Sequence, residues 1–148
     1  DWTGPASPLV AAAGEVTGNY PGIFENIESD ATIVIRDITL DSEDNLYVLT
    51  TFDSAIYKFN KEGVFVDRIG QEGDAPGDFT SPLALAVDGQ GRIWVDDFTD
   101  ILVFDGNGRY LNTIPMDGTG FTLLFGTANN LYRMNRNDNR IEKYALLK

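Results

Sequence analysis

Apolar and β-branched residues come in short runs along this chain, divided by polar clusters rich in Asp, Asn and Gly. Runs of this kind bounded by turn residues predict β-strands. No segment holds a 3.6-residue apolar period between caps, so no helix longer than about two turns is expected. The pattern repeats. Asp41-Ser-Glu-Asp-Asn-Leu-Tyr-Val48 returns as Asp88-Gly-Gln-Gly-Arg-Ile-Trp-Val95 and, worn, as Gly126-Thr-Ala-Asn-Asn-Leu-Tyr-Arg133. Downstream of each comes a second echo: Ala55-Ile-Tyr-Lys-Phe59, Asp100-Ile-Leu-Val-Phe104 and Arg140-Ile-Glu-Lys-Tyr144.

Each unit reads as an antiparallel meander. In the first, residues 32–40, 46–51, 55–60 and 64–69 are predicted strands, with polar turns at Asp41–Asn45 and Lys61–Gly63. The second repeats this at 83–87, 92–96, 101–104 and 109–114, with Asp105-Gly-Asn-Gly108 as a hairpin signal. The third supplies strands near 121–125, 130–134 and 140–144, and no fourth. Short β units repeating at about 40 to 50 residues predict an all-β fold of propeller blades. The boundaries are blade 1 at 32–69, blade 2 at 83–114 and an incomplete blade 3 at 121–148. Pro21-Gly-Ile-Phe24 matches Pro76-Gly-Asp-Phe79, which lies between one unit's last strand and the next unit's first. By that match Leu9–Ala13 falls where a fourth strand belongs, and residues 9–13 are the expected closing strand of blade 3.

The segment Pro76-Gly-Asp-Phe-Thr-Ser-Pro-Leu-Ala-Leu-Ala-Val-Asp-Gly-Gln-Gly-Arg-Ile-Trp-Val-Asp-Asp97, continued by Ile101-Leu-Val-Phe-Asp-Gly-Asn-Gly108, resembles the NHL repeat of six-bladed β-propellers. The match is good in the second unit, fair in the first and poor in the third. Family members commonly carry Asn-x-Arg-Ile between the second and third strands; here only Asn139-Arg-Ile141 is similar. The resemblance implies a propeller architecture and a binding role. It identifies no ligand.

Three blades are half of a six-bladed ring. An unpaired blade face of several hundred Å² leaves several kcal/mol of burial unrealised at roughly 25 cal/mol per Å². Tyr47, Trp94 and Tyr132 hold equivalent positions on such faces, as do Phe59, Phe104 and Tyr144. Two resolutions are open: two copies closing into a ring, or a longer propeller of which this is a piece. A homodimer is the expected one, with strand 9–13 of one copy completing blade 3 of the other.

Composition narrows the chemistry. The chain has no Cys and no His, which removes thiolate nucleophiles, the usual general base and the commonest transition-metal ligands. A net charge of −12 argues against nucleic acid and anionic membrane as partners. Residues 1–132 hold 21 acids and 6 bases, and residues 133–148 hold 2 acids and 5 bases. The basic blade therefore suits an acidic neighbour. No apolar run of 18 residues exists to span a membrane. The stretch Gly4–Gly14, rich in Pro, Gly and Ala, resembles a mature secreted N-terminus, so a secreted or periplasmic location is expected.

Blade topology sends the loops between second and third strands to one face, together with the inter-blade connections. That face is expected to gather Asp53, Asp96, Asp97 and Asp100, with the inserted segment Glu25–Asp30. Clustered carboxylates suit Ca²⁺, and Asp96 with Asp97 is the candidate pair. The competing reading is that these acids cap and turn strands. Arg36 and Asp37, on the innermost strand of blade 1, are candidate ligand contacts in the channel, or else an internal salt bridge. Asp41 and Asp88 open the opposite hairpins and are read as structural. No catalytic residue is assigned and no cofactor is required. The expected function is a non-catalytic binding or assembly module for a small molecule or protein. The alternative is a calcium-dependent propeller hydrolase, lactonase- or esterase-like, which would need acids from several blades converging at the channel.

Overall fold

A computed structural model of the chain describes residues 33–146. Among them are eleven strands and no helix. Strands β1 (Val34–Leu40), β2 (Leu46–Thr51), β3 (Ile56–Phe59) and β4 (Phe65–Ile69) form one antiparallel sheet in sequence order. Strands β5 (Pro82–Val87), β6 (Ile93–Asp97), β7 (Asp100–Phe104) and β8 (Tyr110–Pro115) form the second. The third holds β9 (Gly120–Phe125), β10 (Asn130–Asn135) and β11 (Arg140–Ala145), leaving β11 at its edge among the described residues. These strands lie on the predicted runs to within one or two residues at either end. The three sheets are blades, packed so that β5 lies between β1 and β9. Residues 9–13 and 25–30 lie outside the described residues.

The turns explain why the sequence repeats. The Asp41 carboxylate accepts the backbone N–H groups of Glu43 and Asn45 and the Tyr47 hydroxyl. Asp88 does the same for Gln90 and Arg92, and accepts the Trp94 indole N–H at 2.9 Å. One side chain thus closes the β-turn and fixes the aromatic residue six positions on. Burial alone would raise the Asp41 carboxyl, but its donors outweigh that and hold it below the ordinary carboxylate range. In blade 3 Gly126 stands at this position; the turn keeps its backbone bonds and loses the acceptor for Tyr132.

Tyr47 and Trp94 each face the following blade. Tyr47 and Leu49 pack with Leu85, Ile93, Val95, Leu102 and Phe104 in the core between blades 1 and 2. Trp94 packs with Ala84, Ile101, Val103, Leu123 and Leu131 between blades 2 and 3. The end face of blade 1 is covered in part. Val48, Ala55, Tyr57 and Phe59, on the face of blade 1 turned away from blade 2, are themselves buried. Ile38 and Leu40 of β1, on that same face, stay exposed at 58% and 54%, and blade 3 exposes Ile141 at 79% and Met134 at 36%.

Candidate functional site

The inner strands share one irregularity. β1 bulges at Arg36, between the pairs Ile35–Thr50 and Asp37–Leu49. β5 bulges at Leu83, and β9 over Phe121 and Thr122 opposite the single residue Met134. Arg36, Leu83 and Phe121 are equivalent positions in the repeat, so all three blades break their ladders at one level. A bulge re-aims a side chain and commonly borders a functional site. The three residues line one groove of about 330 Å³ together with Asp37, Thr39, Thr122 and Leu124.

Arg36 and Asp37 do not pair with each other. The Arg36 Nε donates to the Leu83 carbonyl at 3.2 Å, while Asp37 accepts the N–H groups of Leu85 at 3.0 Å and Ile38 at 2.9 Å. Both residues therefore tie blade 1 to blade 2. The guanidinium of Arg36 lies 5.9 Å from the centre of the Phe121 ring, on blade 3.

The four loop acids do not form an open acidic face. Asp53, Asp96 and Asp97 are 8%, 0% and 5% exposed. Asp53 accepts the hydroxyls of Thr50 and Tyr57. Asp97, the last residue of β6, accepts the backbone N–H groups of Thr80 at 2.9 Å and Ser81 at 2.6 Å, pinning the entry to β5. Asp100 pairs with Asp97 across the β6–β7 ladder and borders a shallow groove with the loop Gly73–Asp78. Side chains that anchor buried backbone leave water when the loop closes, so an acid-rich loop sequence need not give an acidic surface.

Asp96 holds the least expected contact. Its Oδ2 accepts the Arg133 Nε at 2.7 Å, with both side chains fully buried. Arg133 also donates to the carbonyls of Gly118 at 2.6 Å and Asp117 at 3.1 Å, and to Glu142 at 3.3 Å. Burial pushes the Asp96 carboxyl above its ordinary value, against the pull of Arg133. Its Oδ1 is buried without a hydrogen-bond partner. Burial also acts to raise Glu142, but donors including Arg140, Asn135 and Arg133 keep it below the ordinary range. Gly120 is required here, since a Cβ at that position would stand 1.9 Å from the Asp96 Oδ2.

Aligning the repeats locates this pair. Asp96 stands where blade 1 has Leu49, and Arg133 where blades 1 and 2 have Val48 and Val95. An apolar contact between blades 1 and 2 becomes a buried ion pair between blades 2 and 3. Sequence reasoning singled out Asp96 and missed Arg133; the signal was a charged residue at a position the other two units fill with Val.

With Arg133 on one oxygen of Asp96 and amide donors on Asp97, this pair does not fit a hard cation, which needs several free oxygens at one point. Among the described residues no three acidic side chains converge in a way that could hold a metal ion.

A second feature lies at the edge of blade 3. Beside β11 is an apolar cleft of about 660 Å³ lined by Trp94, Ile101, Ile114, Leu131, Tyr144 and Leu146 among others. β7 and β8 of blade 2 form one wall, with β10 and β11 opposite.

The comparisons agree with this architecture. A protein of Bacteroides fragilis described as exported superposes with a TM-score of 0.61 at 22% identity, over 82% of this chain and 40% of that one. A gluconolactonase of Xanthomonas campestris superposes with a TM-score of 0.54 at 26% identity, over 68% of this chain and 34% of that one. BamB of Moraxella catarrhalis superposes with a TM-score of 0.58 at 15% identity, over 74% of this chain and 31% of that one. The chain thus spans less than half the length of each of these proteins. No curated protein matches it in sequence. Residues 28–147, most of the chain, match the family described as 6-bladed beta-propeller, and with three blades packed side by side around a repeated inner-strand bulge, the chain belongs to that family.

Proposed function

We propose that this chain is a non-catalytic binding and assembly module that self-associates into a closed propeller ring and takes a ligand at the channel side of its inner strands. The observation that carries this reading is that, among the described residues, β11 is the edge of its sheet beside an apolar cleft. Edge donors and acceptors need a partner strand, and the cleft offers the apolar contact that such a strand would bury. In the proposed dimer, residues 9–13 of one copy complete blade 3 of the other. The basic end of the chain favours contact with an otherwise acidic neighbour.

For the ligand, the channel side is preferred to the loop face. Asp53, Asp96 and Asp97 are buried and engaged by hydroxyls, Arg133 and backbone amides, whereas Arg36 and Thr122 of the groove are exposed. The solution mass tests the assembly. Light scattering at micromolar concentration is expected to give twice the chain mass, and removal of residues 1–14 to abolish the dimer and lower the melting temperature. A monomeric mass with a cooperative melt would refute the ring. An exported location is compatible with the Bacteroides fragilis neighbour, and it belongs to the same proposal.

A further inference from the structure

Two guanidinium groups from different blades lie over one aromatic ring, that of Phe121; Arg36 and Phe121 line the channel groove, and Arg136 reaches the ring from outside that lining. The guanidinium of Arg36 lies 5.9 Å from the centre of the Phe121 ring, and that of Arg136 lies 4.8 Å from it. Arg36 is delivered by the β1 bulge and fixed through its Nε to the Leu83 carbonyl. Arg136 is delivered by the loop between β10 and β11, which has four residues where the loop between β6 and β7 has two. That longer loop is anchored at its base: the Arg136 N–H donates to the Thr119 carbonyl at 3.1 Å, and the Thr119 N–H donates to Asn137 Oδ1 at 3.0 Å.

Among the described residues neither guanidinium has a carboxylate within ion-pair distance. This is unexpected in a chain with 23 acidic residues. Four other arginines, Arg92, Arg109, Arg133 and Arg140, do have such partners. Asp37 borders the same groove, but its oxygens are engaged by the amides of Ile38 and Leu85. A guanidinium held against a ring keeps its in-plane N–H groups free for a carboxylate, which Arg binds by paired hydrogen bonds. The rest of the groove is apolar or hydroxylic, with Leu83, Phe121, Thr122 and Leu124. Its volume of about 330 Å³ suits a small molecule.

We propose that this groove, continued over the Phe121 ring to Arg136, is a binding site for a small organic carboxylate, with the anion held by Arg36 and Arg136 and the apolar body resting on Phe121 and its neighbours. The inference rests on the channel-side part of the function proposed above and names its ligand class. Benzoate is the probe, titrated against the full chain labelled with ¹⁵N, and the arginine Nε–H signals are followed by NMR. Saturable shifts of the Arg36 and Arg136 signals are expected. Arg36→Gln and Arg136→Gln should each weaken benzoate binding about three- to tenfold, as loss of one charged hydrogen-bonding partner does at a half-open site. Phe121→Ala should weaken it by a similar factor. Benzamide, a neutral molecule of the same shape, should bind at least tenfold more weakly to the unaltered protein, a comparison that requires no variant to fold.

Equal binding of benzamide, or unchanged benzoate affinity in both arginine variants, would overturn the site. Inorganic phosphate binding as tightly as benzoate and indifferent to Phe121→Ala would overturn the organic ligand class. A monomeric chain that binds benzoate as described upholds the site while refuting the ring. A dimeric chain that does not respond to benzoate does the reverse.

Discussion

The Asp96–Arg133 pair can be dissected by a double-mutant cycle of Asp96→Leu, Arg133→Met and the two combined. Arg133 is wholly buried and takes part in four hydrogen bonds to Asp96, Asp117, Gly118 and Glu142. Replacing it by Met leaves the Asp96 carboxylate buried with no cation, the situation in which removing one partner typically costs about 3 to 5 kcal/mol. For a domain of this size that corresponds to a fall in melting temperature of roughly 10 °C. Asp96→Leu strands the Arg133 charge instead, but Glu142 and two carbonyls still hold it, so the loss should be nearer 2 kcal/mol. The combined replacement restores an apolar contact like that of Leu49 and Val95 between blades 1 and 2. It should be less destabilised than Arg133→Met alone, giving a coupling energy of at least about 2 kcal/mol.

Urea unfolding at pH 7 measures all four proteins, and pH supplies an independent check. A carboxyl whose folded-state value is raised binds its proton more readily in the folded protein. The Asp96 contribution to stability therefore diminishes as pH rises through the window between its unfolded and folded values. Without Arg133 that upward shift grows, so the Arg133→Met penalty should shrink as pH falls from 7 towards 5. A penalty under about 1 kcal/mol, or one that does not change with pH, would show that the buried pair contributes little to joining blades 2 and 3.

Gly120→Ala should destabilise by more than about 2 kcal/mol, since its Cβ would collide with Asp96 Oδ2; denaturant unfolding within 0.5 kcal/mol of the parent would show that the blades yield there. Asp88→Ala removes the acceptor for two backbone amides and the Trp94 indole, so a loss of about 2 to 3 kcal/mol is expected. Asp41→Ala, at a half-buried turn, should lose less, and the opposite order in a thermal melt would contradict the burial argument. Millimolar calcium should move the melting temperature by less than about 1 °C, because Asp96 holds Arg133 through one oxygen and buries the other, and the oxygens of Asp97 accept backbone amides. A larger rise that Asp96→Asn with Asp97→Asn abolishes would restore the cation site.

Strand positions, turn chemistry and the blade repeat were legible in the sequence because each depends on neighbours within a few residues. Asp41 reaches Asn45 and Tyr47, and Asp88 reaches Arg92 and Trp94, so one short motif records both the turn and the aromatic that it fixes. The structural role expected of Asp41 and Asp88 follows from that locality. The same reasoning could not separate a carboxylate facing water from one folded back onto an amide. Asp97 meets Thr80 and Ser81, and Asp37 meets Leu85, partners 16 to 48 positions away that only the tertiary fold brings close.

The ion pair between blades 2 and 3 lay between these limits. The repeat marked Asp96 and Arg133 as charges at apolar positions, but only the packing of β6 against β9, which pairs with β10, made them one contact across 37 residues. The groove needed the fold altogether. Arg36, Phe121 and Arg136 belong to two blades and three separate segments, and neither arginine's neighbours in sequence point to the ring they share. Local chemistry determined the strands and turns of this protein. Which charges meet, which are buried and which stay exposed was decided by how the blades stack.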